Sequence, residues 1–237
     1  MYMSKEIAQV IDHALLSPVL TQHALDKGLD DCLELQPYSV CVKSCDVEVA
    51  WKKMWEPPCH PVKVCSVVGF PHGNTRINDK RNEAQHALGY GASEIDYVVN
   101  LSRVASGDWS YVELEMEEMV SLIKCYYGAK LKCIFECCYL TDDMKRMLCY
   151  LACKTGVDFV KTSTGFGIGG ATAKDVNLMK NEVTYRSNDK CLVKASGGIK
   201  TLEDLEFMLA CGASRIGTSS TRAIIEQAKK RAESANV

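Results

Sequence analysis

A single-domain (β/α)8 barrel with a short N-terminal helix is the fold class that this sequence predicts, and three observations predict it. Strand-like and helix-like segments alternate along the chain, giving eight strands, seven of them followed by a clear helix before the next strand. The strand-like runs are nearly continuous in apolar and β-branched residues, the pattern of a parallel sheet covered on both faces. The 237 residues, 47% of them hydrophobic, suit one barrel domain spanning 1–237. An open doubly wound sheet would usually carry GxGxxG after its first strand, and none is there.

The elements follow in order. A helix near Ser4–Val10 leads into a strand, Ile11–Leu15. Thr21–Leu35 has helical periodicity, Ser39–Lys43 is strand-like and Val47–Trp55 is helical. The Pro57-Pro58 pair marks a loop before the β-branched run Val62–Gly69. Asn78–Leu88 is a helix, polar on one face, that ends at Gly89 and Gly91. Glu94–Asn100 is a strand, and Tyr111–Tyr126 a long amphipathic helix stopped by Gly128. Leu131–Cys137 is a strand, Thr141 caps a helix over Asp142–Lys154, and Gly156 ends it. Val157–Thr162 is a strand followed by a helix over Thr172–Asn181. Cys191–Ser196 is the next strand. Thr201 caps Leu202–Ala210, with Asp204 placed to complete a capping box. Ser214–Gly217 is the last strand and Ser220–Glu233 the last helix.

Bulk properties exclude several function classes. The net charge is -2, so no basic field exists to hold a nucleic-acid backbone, and no nucleic-acid partner is expected. No apolar stretch approaches the roughly 20 residues of a membrane span, so no membrane partner is expected either. The segment Met1–Glu6 does not read as a secretory signal. The 13 cysteines are odd in number and scattered through apolar runs, as free thiols in a reducing cytoplasm would be. A zinc site on Cys133, Cys137 and Cys138, or on Cys149 and Cys153, lacks a neighbouring histidine or a second CxxC pair.

Chemistry collects where strands end, because barrel sites form at the C-terminal ends of strands and in the loops just after them. Those ends carry Asp12, Cys41 with Lys43, the loop Gly69-Phe70-Pro71-His72-Gly73, Asp96 with Asn100, Glu136, Lys161, Lys194, and Gly217-Thr218-Ser219-Ser220. Asp96, Lys161 and Lys194 stand out because each interrupts an apolar run, where an unpaired charge is not tolerated. Lysines that merely reach solvent at strand ends are the blander alternative. That alternative leaves the glycine-rich strings after both lysines unexplained. A lysine in a polar pocket is a nucleophile for carbonyl carbon once it is neutral. A second ammonium roughly 5 Å away, at an effective dielectric of about 20, costs about 3 kcal/mol, or about two pKa units. The sequence thus predicts one lysine pushed towards neutrality by the other, with Asp96 opposing part of the shift and serving in proton transfer. The glycine-rich ends suggest a phosphate seat, since Gly217–Ser220 opens a helix whose first N–H groups converge there. His72 fits a structural turn at the barrel mouth better than a catalytic base.

Taken together, these strings resemble the class I 2-deoxyribose-5-phosphate aldolase family. The resemblance is carried by Ile11–Leu16, Val67–Gly73, Gly91–Val98, Phe135–Cys137, Val160–Phe166 with Gly169–Thr172, Val193–Ile199 and Arg215–Ser220, in that order and over nearly the whole chain. It implies an aldolase that needs neither metal nor cofactor. It implies that Lys161 forms the Schiff base, that Lys194 is the second lysine perturbing it, and that Asp96 relays protons through water. It implies that Gly165, Gly197, Gly198, Gly217, Ser219 and Ser220 line a phosphate pocket, and that Cys41 is a pocket cysteine. The substrate implied is a small phosphorylated sugar, the assembly a homo-oligomer (dimer or tetramer), and the location cytoplasmic. Departures from the family pattern fall at Ala14, Ser17, Lys43-Ser44 and Thr221, none of them one of the three catalytic positions. Two other readings compete: a Schiff-base aldolase for a different phosphorylated sugar, and a phosphosugar-binding barrel without catalysis. The intact Lys161, Lys194 and Asp96 weigh against the second.

Overall fold

The computed structural model describes residues 4–55, 62–187 and 190–234. Eight parallel strands close into a barrel in sequence order: β1 Ile11–Leu15, β2 Ser39–Val42, β3 Lys63–Val68, β4 Glu94–Val98, β5 Lys130–Ile134, β6 Phe159–Lys161, β7 Leu192–Ser196 and β8 Arg215–Thr218. Around them run α1 Ser4–Ala8, α2 Gln22–Leu35, α3 Val47–Trp55, α4 Ile77–Gly89, α5 Leu101–Ala105, α6 Trp109–Lys124, α7 Asp142–Thr155, α8 Ala173–Ser187, α9 Leu202–Ala210 and α10 Thr221–Ser234. No helix among the described residues is long and apolar enough to cross a membrane. The Pro57-Pro58 loop and Met1–Met3 lie outside the described residues.

The helix starts obey their side chains. Thr21, Thr141 and Thr201 each accept from the backbone N–H three residues on, and Asp204 closes the capping box with Thr201. Gly156 ends α7 in the left-handed conformation, with φ 93°, as the helix stop there requires. The apolar faces of these helices and the outer faces of the strands form one continuous core, with Ile11, Val40, Ile95, Phe135, Val160 and Ile216 in it.

The differences from the sequence expectation lie at element ends. β4 stops at Val98, because Asn100 accepts from the Arg103 N–H and caps a short helix, α5, that the sequence reading missed. β5 stops at Ile134, since Glu136 takes left-handed backbone (φ 53°) and turns the chain into a 3-10 turn over Cys137–Tyr139. Cys137 is therefore not a strand residue. α8 runs on to Ser187, six residues beyond Asn181, and α6 occupies Trp109–Lys124 behind its cap Asp108. Trp109 packs against the core, whereas Trp51 and Trp55 lie on the surface of α3 with their rings 6.0 Å apart.

Register positions the chemistry. Lys161 on β6 pairs with Lys194 on β7, Lys194 with Arg215 on β8, and Asp96 on β4 with Lys132 on β5. Asp12 on β1 pairs with Gly217 on β8. Four cationic and two acidic side chains are thereby delivered to the interior of one barrel.

Candidate active site

Asp96 is the hub. It is fully buried, and its two oxygens take different partners. Oδ2 accepts from Lys161 Nζ and from Lys194 Nζ, each at 2.8 Å. Oδ1 accepts from Lys132 Nζ at 2.7 Å and from the Cys65 thiol at 3.1 Å. Burial alone would raise its pKa, but Lys132, Lys161 and Lys194 outweigh burial and hold it well below the usual carboxylate range. Asp96 is thus an anion in the resting site.

Lys194 also donates to Asp12 Oδ2, and Asp12 Oδ1 accepts from Arg215 and from the Ser39 hydroxyl, each at 2.7 Å. Lys132 donates to Glu94 as well. The Arg215 guanidinium lies 3.4 Å from the centroid of the Tyr38 ring, which shields its outer face. The expected push of one lysine by another does not govern Lys194. Burial lowers its pKa, yet Asp12 and then Asp96 reverse that effect, so its pKa is raised and the side chain stays an ammonium. Asp12 is likewise kept ionised: burial opposes this, and Lys194, Lys132 and Arg215 prevail.

Lys161 and Lys194 open onto a cavity of about 590 Å³ at the C-terminal end of the barrel, also lined by Asp12 and Cys41. Asp96 is not in that wall; it lies behind the two lysines. Gly165, Gly197, Gly198, Gly217, Ser219 and Ser220 all line the cavity, together with Thr218 and Lys200. Gly217 is required for close approach: a Cβ there would sit 2.8 Å from Ser196 Cβ and 3.1 Å from Lys194 Cε. Gly197 adopts φ 89°, and its carbonyl oxygen accepts from the Ala171 N–H at 3.0 Å, tying two glycine-rich loops together. Ser219 and Ser220 precede α10, whose first-turn amides lack intrahelical partners and whose dipole favours an anion.

Other residues singled out in the sequence have different places. Glu136 is buried outside the cavity wall and accepts from the Thr164 N–H and hydroxyl, holding the loop after Lys161. Lys43 pairs with Asp46 at 3.3 Å, and Asn100 is a helix cap. His72 is exposed and outside the cavity wall, while Phe70 in the same turn meets Phe166 of the wall edge-on, with centroids 5.3 Å apart. Thr221 has a partner that a glycine there would lack: its hydroxyl lies 2.8 Å from Nδ1 of His13, which lines the cavity. Burial brings the His13 pKa down to about 4, against the pull of Asp31, so the ring is neutral at pH 7.

Sequence reasoning missed Lys132, Glu94 and Arg215. Lys132 interrupts Leu131–Ile134 just as Lys161 interrupts its own strand, so the same signal was present. Among the described residues, three potential metal donors converge at Cys41, Cys65 and Asp96, within 4.8 Å of one another. Lys132, Lys161 and Lys194 all contact that Asp96, which makes the set a poor seat for a further cation. The cysteine sets considered for zinc do not converge there.

The chain was compared with known proteins. A family model described as DeoC/LacD family aldolase matches residues 39–227. A deoxyribose-phosphate aldolase of Thermoanaerobacter sp. (strain X514) is 44% identical over 224 residues, covering 94% of this chain and 97% of that protein. One from Rhodopirellula baltica is 40% identical over 235 residues, covering 97% and 92%. Among solved structures, the tetrameric deoxyribose phosphate aldolase of Aeropyrum pernix superposes with a TM-score of 0.87 at 30% identity, covering 96% of this chain and 93% of that one. A barrel whose cavity wall carries a lysine pair over a shared carboxylate, matched along nearly its whole length, belongs to the DeoC/LacD aldolase family.

Proposed function

We propose that this chain is a class I aldolase that reversibly cleaves 2-deoxy-D-ribose 5-phosphate to D-glyceraldehyde 3-phosphate and acetaldehyde. One observation carries the reading: two buried lysines share a single Asp96 oxygen at one side of a cavity whose other side is built of glycine turns and a helix N-terminus. The first group suits a carbonyl, the second a phosphate. The relatives named as deoxyribose-phosphate aldolases supply the identity of the sugar.

In this reading Lys161 is the nucleophile. Four cationic side chains, Lys132, Lys161, Lys194 and Arg215, face three carboxylates, Asp12, Glu94 and Asp96. Loss of one proton leaves the cluster electrically balanced. The neutral Lys161 amine adds to C1 of the open-chain aldehyde, and loss of water with uptake of one proton from Lys194 gives a protonated imine. The C3 hydroxyl then gives up its proton, the C2–C3 bond breaks, and its electron pair moves into the imine, leaving an enamine and free glyceraldehyde 3-phosphate. Protonation of the enamine carbon and addition of water release acetaldehyde and regenerate the amine. Lys194, held as an ammonium and bonded to the same Asp96 oxygen as Lys161, is the proton source, and Asp96 links the two as relay. Gly165, Gly197, Gly198, Gly217, Ser219 and Ser220 receive the phosphate.

The test is direct turnover. Purified chain with 2-deoxyribose 5-phosphate is expected to release acetaldehyde and glyceraldehyde 3-phosphate in equal amounts, insensitive to a chelator, and Lys161→Ala to abolish release. Absence of both products from folded wild-type chain would overturn the reading.

A further inference from the structure

At the opposite end of the barrel, where β6 and β7 begin, a second cavity of about 460 Å³ is lined by Cys153, Gly156, Asp158, Arg186, Ser187 and Cys191. Cys153 lies in the last turn of α7 and is half-buried; Cys191 immediately precedes β7 and is buried. Both are free thiols that line this one cavity, close enough for each to perturb the ionisation of the other. Arg186 stands beside them, its guanidinium held by Glu182 at 2.9 Å and by the face of the Tyr150 ring at 5.3 Å. The mechanism above uses none of these groups.

We propose that Cys153 and Cys191 form a hydroperoxide-responsive dithiol, with Cys153 as the attacking and Cys191 as the resolving sulfur. Cys191, then Ser187 and the Arg186 charge, bring the Cys153 pKa down to about 7 against burial, while Cys191 is raised by Cys153 and by burial. A half-exposed thiolate beside a cation is the form that reacts. Exposed Cys45, by contrast, is shifted up by partial burial and by Asp46. The cavity admits the oxidant, and the adjacent thiol is the resolving partner that such sites have.

The Cys153 thiolate attacks the terminal oxygen of a hydroperoxide. The O–O bond breaks, sulfur is oxidised by two electrons, and the other oxygen leaves as alcohol or water after taking a proton. Cys191 sulfur then attacks the sulfenic sulfur of Cys153. The S–O bond breaks, the hydroxyl leaves as water with the Cys191 proton, and a disulfide joins α7 to the start of β7.

The test is stoichiometric hydrogen peroxide on the reduced full chain, alkylation of remaining thiols, and non-reducing peptide mapping over time. The expected first product is a Cys153–Cys191 disulfide, reversed by dithiothreitol and formed at least about tenfold faster than Cys45 is oxidised. Cys153→Ser, which should cleave substrate at the wild-type rate, is expected to leave Cys191 reduced. Cys191→Ala is expected to hold Cys153 as a sulfenic acid that dimedone traps; should that variant fold poorly, the wild type and Cys153→Ser decide alone. First oxidation at Cys41, Cys45 or Cys125 with Cys153 still reduced would overturn the proposal. So would oxidation of Cys153 in the wild type without its bond to Cys191.

Discussion

At the residue scale, the site works by sharing. Asp96 gives one oxygen to Lys161 and Lys194 and the other to Lys132, so removing its charge takes a partner from three lysines at once. Asp96→Asn is expected to lower kcat by about 10²–10⁴-fold, as loss of a proton-transfer group does. It should also destabilise the fold, by about 3–5 kcal/mol, because buried cations lose their partner. Steady-state kinetics with urea unfolding would check both, and wild-type kcat in the variant would contradict the relay. His13 gives a prediction of a different kind. It titrates near about 4 when folded and near about 6.5 when unfolded, so the unfolded chain binds more protons in between. Stability therefore falls as pH drops through that window, with about 3 kcal/mol attributable to His13. His13→Gln should flatten the fall; equal slopes for variant and wild type in denaturation at several pH values would contradict it. Lys161, Lys194 and Asp96 were legible in the sequence because each charge breaks an apolar strand. Lys132 was equally legible and was overlooked, whereas the role of Glu94 was not, since an acid at a strand start looks like a surface residue. Which lysine stays charged depends on Asp12 reaching Lys194 across 182 positions of chain, and no local pattern reports that.

At the scale of elements, the strands and caps could be read from side chains, and the errors fall where a turn begins. Asn100 and Glu136 both continue apolar runs in sequence, yet one caps a helix and the other turns the chain through left-handed backbone. Glu136 earns its conformation from the loop after β6, whose Thr164 it holds. The glycine-lined end of the cavity rests on a contact between two glycines. A Cβ on Gly170 would lie 2.3 Å from the Gly197 carbonyl oxygen, inside any tolerable contact, so the two loops would have to part. Gly170→Ala is expected to raise KM for 2-deoxyribose 5-phosphate by about tenfold or more while changing kcat less, since remote binding contacts are lost before chemistry is. An unphosphorylated deoxyribose, turned over more slowly by both proteins, should show little difference between them. A KM effect of equal size on both sugars would place the defect elsewhere.

At the scale of the whole molecule, the barrel carries buried charge on two levels. Besides the cluster around Asp96, Lys80 and Glu115 form a fully buried pair at 2.6 Å, with Lys80 also donating to the Val98 carbonyl and Glu115 accepting from the Asn100 N–H. This pair locks α4 and α6 to the end of β4, away from the cavity. Lys80→Met should cost about 3–5 kcal/mol in unfolding free energy, because it strands Glu115. Activity per folded molecule should stay close to wild type, and unchanged stability in urea denaturation would contradict the assignment. The closed barrel and its order of strands were legible from alternation alone; the way seven charged side chains pair inside it was not, because barrel closure brings β1 against β8. The central claim concerns one nitrogen atom. Borohydride reduction in the presence of 2-deoxyribose 5-phosphate, followed by peptide mass spectrometry, is expected to leave a single covalent adduct on Lys161, lost in Lys161→Ala and retained in Lys132→Met. An adduct on Lys194 or Lys132 instead, or on no lysine while the sugar is still cleaved, would contradict it.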